Sequence, residues 1–193
     1  MTQQTSATMR QGAVLMSDAG VPIDATAPLP ITQVTQGYAS VVSLTRTADT
    51  NAYAANDVIG AATGSTAALP FAIGPAAGGE VIITSAALET DAAAVISGEA
   101  GYRLYFYNVT PPSALGDNAA WDLPSGDRAS YLGYVDLGQP VDLGSTCYVE
   151  VNSINKQITV PAGGIVYAYL VTLGAFTPAS ATVRKITLHT VAV

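Results

Sequence analysis

A single histidine, His189, and a single cysteine, Cys147, are all the imidazole and thiol this 193-residue chain contains. Histidine is the commonest general base, and cysteine is a ready nucleophile when its thiolate is stabilised. Neither residue has the partners such chemistry needs. His189 falls on the Lys185 and Thr187 side of the last apolar-alternating segment, where a solvated or interface histidine is expected. Cys147 sits in Thr146-Cys147-Tyr148-Val149 and reads as a small buried hydrophobe. With one cysteine, neither an intrachain disulfide nor a cysteine-built metal cage is available.

The carboxylates gather only in Leu115-Gly-Asp-Asn-Ala-Ala-Trp-Asp-Leu-Pro-Ser-Gly-Asp-Arg128, which carries Asp117, Asp122 and Asp127. Carboxylates at that spacing can converge on a hard cation such as calcium. The dense alternate acids and the closing glutamate of a helix-loop-helix calcium site are missing, and Asp and Asn equally serve turns by bonding nearby amides. Turn chemistry is the expectation, ahead of calcium and of a glycosidase carboxylate pair. Trp121, the sole tryptophan, lies in the same loop as a core plug or a contact anchor. Ten tyrosines against three phenylalanines favour rings with a polar tip, and Tyr105 and Tyr107 are candidate contact residues. No phosphate-cradling loop or zinc signature is present, so no cofactor is expected and no enzymatic activity is assigned.

The elements that must carry these residues are strands. Tyr38–Arg46, Glu80–Leu88, Tyr102–Val109, Tyr131–Leu137, Thr146–Val151, Gln157–Val160, Ile165–Thr172 and Ala181–Val193 are rich in β-branched and aromatic residues. Within them, alternation puts Tyr102, Leu104 and Phe106 opposite Arg103, Tyr105 and Tyr107. It also puts Thr182, Arg184, Ile186 and Leu188 opposite Val183, Lys185, Thr187 and His189. Two short helical turns are expected at Asp91–Ile96 and Ser113–Ala120, and long loops at 61–70 and 111–127. Val135-Asp-Leu-Gly138 and Val141-Asp-Leu-Gly144 read as strand ends flanking a turn. The fold class expected is all-β: a jelly-roll-like antiparallel β-sandwich of eight or nine strands over residues 38–193.

Residues 1–37 differ. They are rich in Thr, Gln, Ala and Pro, and read as an extended N-terminal arm whose apolar knot, Val14-Leu15-Met16, is a candidate interface. The beginning of the chain has no basic stretch followed by an apolar run, so a cleaved secretion signal is not expected.

Charged residues make up 11% of the chain, against about 25% in an ordinary soluble domain, and the net charge is −7. Without a basic stripe, no nucleic-acid partner is expected. No apolar segment approaches the roughly 20 residues of a membrane-spanning helix. A surface so poor in ions is cheap to cover, because few charges need desolvation.

Three strings carry a resemblance: Ser43–Gly60 (SLTRTADTNAYAANDVIG), Trp121–Gly138 (WDLPSGDRASYLGYVDLG) and Leu170–Pro178 (LVTLGAFTP). Together they make residues 40–193 similar to a family of tailed-bacteriophage virion proteins encoded near the major capsid protein. The resemblance implies a capsid decoration (cement) protein on the exterior of the virion head, a homotrimer with the major capsid protein as partner. It transfers no catalytic residue. The alternative is a carbohydrate- or receptor-binding module of a head fibre or tail adhesin.

Overall fold

The computed structural model describes residues 36–193, and the knot Val14, Leu15 and Met16 lies outside the described residues. Ten strands follow in order: β1 (Gly37–Thr45), β2 (Val58–Ile59), β3 (Leu69–Ala72), β4 (Gly79–Thr90), β5 (Tyr102–Tyr107), β6 (Tyr131–Gly138), β7 (Val141–Asp142), β8 (Cys147–Val160), β9 (Ile165–Thr172) and β10 (Val183–Ala192). They form two sheets, ordered β1-β10-β4-β8-β7 and β2-β9-β5-β6, with β3 also pairing β9. All pairings are antiparallel.

The pairing pattern is that of one long hairpin rolled up. β5 pairs β6, β4 pairs β8, β3 pairs β9 and β1 pairs β10, so each successive pair encloses the previous one. The pairs β10–β4 and β9–β5 then join these ribbons into the two sheets. That arrangement is the jelly roll, as the alternation of the strands anticipates.

The core between the sheets follows from the period of two. Leu104 and Phe106 of β5, Val166, Ala168 and Leu170 of β9, and Ile186 and Leu188 of β10 point inward and are buried. On β10 the opposite parity, Val183 and His189 included, faces solvent. A second apolar layer lies on the far side of the β9-β5-β6 sheet. There Tyr105, Tyr107, Tyr169 and Val171 are buried beneath residues of the loops, including Ala67, Leu115, Trp121 and Leu123.

The structure departs from the sequence expectation in four places. Thr146–Val151 and Gln157–Val160 are one strand, β8, kinked where Ser153 and Asn155 take φ of 60° and 53°. The register against β4 shifts at the same place, between Ile83 and Ser85. A bulge keeps one strand continuous while redirecting it, which the polar run Asn152-Ser-Ile-Asn155 conceals from a pattern search. The short strands β2, β3 and β7 are additional; β2 and β3 lie in segments whose pairing partner is distant in sequence. Asp91–Ile96 and Ser113–Ala120 are turns and bends rather than helices. In the second segment the backbone is spent on other segments: Leu115 O accepts from Ala67 N and Asp117 N donates to Ala62 O.

Candidate functional site

The three loop aspartates are not brought together. Asp117 is 4% exposed and fully engaged: Tyr53 Oη donates to its Oδ1 at 2.5 Å, Gly60 N at 2.8 Å, and Thr47 Oγ1 donates to Oδ2 at 3.0 Å. Arg46 Nη2 lies 3.8 Å from Oδ2 and is held mainly by Asp49 Oδ1 at 2.7 Å, while Arg46 Nε donates to Tyr53 Oη at 2.7 Å. The result is a buried Arg46–Tyr53–Asp117 network that ties the 46–60 segment to the 111–127 loop. Burial and the Asp117 hydrogen bond push the Tyr53 phenol far above its ordinary range, so it stays a neutral donor.

Asp127 accepts from Ser113 N and Ser113 Oγ, closing its own loop. Asp122 is exposed and accepts only from Leu123 N at 2.8 Å. Among the described residues no group of three His, Cys, Asp or Glu side chains is placed to hold a metal ion. Local turn chemistry describes Asp122 alone; Asp127 closes a longer loop onto Ser113, and Asp117 bonds segments 57 to 70 residues away.

Trp121 and the two candidate tyrosines meet, but underneath the surface. The Trp121 indole stacks on the Tyr105 ring at 3.6 Å between centroids, 12° from parallel. Tyr107 is fully buried, edge-on to Tyr169. Desolvation pushes Tyr107 up to about 12, opposed by the neighbouring Trp121 indole N–H. The Tyr169 hydroxyl receives Leu115 N at 3.1 Å and donates to Ser113 O at 3.2 Å, pinning the loop down. Tyr105 and Tyr107 are thus sealed by the chain's own loop and offer no free contact surface; Trp121, half-buried, is part of the seal. This corrects their placement as surface contacts. The sequence put both tyrosines on the correct face, but a covering loop leaves no periodic signal.

Two solvent-facing features remain. One is an open groove of about 670 Å³ between β6 and the kinked part of β8, lined by Tyr131, Tyr134, Asp136, Asn155 and Lys156 among others. Arg103 lies over the Tyr134 ring at 4.1 Å and pairs with Asp136 at 2.6 Å, so it packs against the aromatic wall of the groove. The other is the outer face of the β1-β10-β4-β8 sheet. Ala39, Val41, Thr187, His189, Ser85 and Asn152 lie on it side by side by register, all exposed or half-exposed. On β10 and β4 its charges are the Lys185–Glu89 pair at one end, at 2.7 Å, and Glu80 at the other. His189 lies in the middle of this face with Ala39 and Ser85 as its cross-strand neighbours, a setting with no base–orienter contact. Cys147 is buried, its thiol donating to Ala92 O at 3.4 Å, and desolvation raises its pKa, which disfavours the reactive thiolate.

A second buried polar cluster escaped the reading of catalytic types. Arg184, 0% exposed, reaches Tyr102 Oη at 3.4 Å, and Tyr102 in turn donates a very short bond to the buried Glu99. Among the described residues, Arg184 Nε and Nη1 have no hydrogen-bond acceptor, and the guanidinium lies 5.7 Å from the centroid of the Tyr102 ring. The signal was present: Arg184 occupies the apolar parity of the last strand.

No family model matches the chain, and no curated protein matches it. Solved structures similar to it come from virus particles. A chain of Israeli acute paralysis virus, from a full particle heated to 63 degrees, is 10% identical, with 98% of this chain and 93% of that one covered and a TM-score of 0.25. A chain of deformed wing virus, a honeybee pathogen, is 10% identical over 100% of this chain and 58% of that one, with a TM-score of 0.26. One from the VLP of the extra small virus of the giant freshwater prawn Macrobrachium rosenbergii is 8% identical over 93% and 95%, with a TM-score of 0.25. At those TM-scores the likeness carries no argument, and the fold rests on the strand order.

Proposed function

We propose that this chain is a non-enzymatic structural protein of a virus particle: a decoration (cement) protein on the outside of a tailed-phage head, binding the major capsid protein. Jelly rolls also serve lectins and enzymes, so the fold alone does not select this role. The observation that supports it is the contrast between the two outer sheet faces. The β9-β5-β6 face is sealed by the protein's own aromatic loops. Among the described residues the β1-β10-β4-β8 face is broad and open: from β1 across the middle of β10 to β4 it is built of small and β-branched residues, and its ions, the Lys185–Glu89 pair, Glu80 and Glu150, lie towards its margins. Such a face is inexpensive to desolvate, as a surface that spends its working life covered should be. The mechanism is mechanical: many modest contacts repeated over a shell sum to a large restraint on it.

The test is copy number and effect on the shell. Purified particles should contain the chain in many copies spread over the head. Particles lacking it should release their contents at lower temperature, and adding the purified full chain should restore them. A handful of copies at one vertex, or unchanged particle stability without the chain, rejects the proposal.

The β6–β8 groove favours a second reading, a carbohydrate- or receptor-binding adhesin module, because an exposed tyrosine wall beside Asp, Asn and Lys suits a sugar. Glycan-array binding abolished by Tyr134→Ala would select it.

A further inference from the structure

We infer that two copies of this chain associate through β1, edge to edge and antiparallel about a two-fold axis at Val41, joining two five-stranded sheets into one. The inference does not rest on the proposed function, and it is separate from the three-fold association that the resemblance implies.

A sheet edge presents unpaired N–H and C=O groups that template another strand unless something blunts it. Most edges of this molecule are blunted. β7 and β2 have two residues each, and β3 has four, with Pro70 among them. β6 carries two register shifts and Gly133 at φ 92°, and a Cβ built there would come within 2.6 Å of Lys156 Nζ, so a lysine lies across that edge. β8 beyond β7 is kinked at Ser153 and Asn155.

β1 has none of these devices. Gly37-Tyr-Ala-Ser-Val-Val-Ser-Leu-Thr45 contains no charge and no proline, and its register against β10 is unbroken over nine residues. Among the described residues, no strand pairs with its other side.

The backbone polarity of that side follows from two hydrogen bonds. Arg46 N donates to Thr182 O at 3.0 Å, and Ala192 N donates to Gln36 O at 2.9 Å. In an antiparallel ladder, alternate residues turn both polar groups to the same neighbour. The even-numbered residues from 36 to 46 therefore bond β10, and Gly37, Ala39, Val41, Ser43 and Thr45 turn theirs outward. Those five residues are all exposed, and their side chains share the bare outer face of the sheet.

The occupant follows by elimination among the edges. For a copy of the same chain, the one long regular edge among the described residues is β1 itself. Antiparallel self-pairing with Val41 opposite Val41 places Ala39 opposite Ser43 and Gly37 opposite Thr45. Every outward group then finds a partner, about ten hydrogen bonds in all, without moving a side chain between faces. The contact is isologous, so it closes at two copies and does not run on into a fibre.

The test uses the full chain. Sedimentation equilibrium should show a reversible dimer at micromolar concentration. Val41→Pro removes an amide that bonds nothing within the monomer but forms the two central bonds of the pair. It should leave the circular dichroism spectrum and melting unchanged at concentrations where the parent chain is monomeric, while weakening dimerisation at least about tenfold. Val41→Lys, a change at an exposed position, sets like charges across the axis and should do the same. Val41→Cys should link two chains on mild oxidation, since directly opposed Cα atoms stand about 5.5 Å apart, within disulfide range. Chains with Ala39→Cys and chains with Ser43→Cys should link when mixed and not alone. A full chain that is monomeric at 100 times that concentration overturns the inference. A dimer that survives both Val41 substitutions, or linking of the Ala39→Cys chain by itself, overturns it too.

Discussion

Replacing Asp117 by alanine takes away the acceptor on which two segments of the structure converge. The carboxylate holds Tyr53 Oη, Gly60 N and Thr47 Oγ1, and its charge lies 3.8 Å from a guanidinium that is itself fully buried. Without it, the Gly60 amide and the Tyr53 hydroxyl lose their acceptor, and orphaned buried groups cost about 1–3 kcal/mol each. Arg46 keeps Asp49, so it is not stranded. The expected cost is about 4 kcal/mol, inside the range of about 3–5 kcal/mol for breaking one side of a buried pair. For a domain of this length that lowers Tm by roughly 8–16 °C. Asp117→Asn keeps one acceptor oxygen and should lose about half as much. Urea titration followed by both circular dichroism and Trp121 fluorescence reads the loss, and the two probes should move together because the network joins the loop to the sandwich. A cost under about 1 kcal/mol for Asp117→Ala would refute this account. A calcium-dependent rise in Tm that disappears in the same variant would refute it as well, by restoring the cation reading of the loop.

Base should unfold the protein through its second apolar layer. Tyr107 and Tyr131 are both pushed up to about 12, chiefly by desolvation, from an ordinary value near 10. The folded state therefore holds these protons longer than the unfolded state. The stabilisation is complete below pH 10 and is lost as the pH rises through about 12; phenolate absorbance and circular dichroism recorded together should change in that window, and early titration of every tyrosine with the fold intact would contradict it. Arg184→Met combined with Glu99→Gln should melt at or above the parent temperature, since among the described residues two guanidinium nitrogens lack acceptors and the pair is bridged through Tyr102; a loss above about 2 kcal/mol would show that Arg184 is compensated after all. Ser153→Gly should stabilise by about 0.5–1 kcal/mol in urea titration by relieving a left-handed φ of 60°.

Strand identity and facing were legible wherever burial on one side imposes a period of two. β5 and β10 show this, down to Arg184 falling on the inward parity. The long strand β8 was not, because its kink is made by polar residues that break the alternation while the ladder to β4 continues on both sides. The short helices expected at 91–96 and 113–120 were a local reading; in 113–120 the amides and carbonyls bond distant partners, and 91–96 closes in turns through Ala92 N to Thr90 O and Ile96 N to the Glu99 carboxylate. The site was legible in its ingredients more than in its roles. Asp117, Trp121, Tyr105 and Tyr107 were picked out by type, but which are buried depends on a loop folding back over a sheet, and that contact spans separations no local window sees. Tyr53 and Tyr102, whose hydroxyls bridge the buried charges, carried no local mark of that duty.

The loop layer over the β9-β5-β6 sheet has a consequence of another kind. With one flank upholstered by its own chain and the opposite flank left plain, the molecule is sided. On the proposed function, a coating built from it would have a front and a back, because the two outer sheet faces differ in what covers them. On that proposal, orientation is set in the monomer before any neighbour arrives.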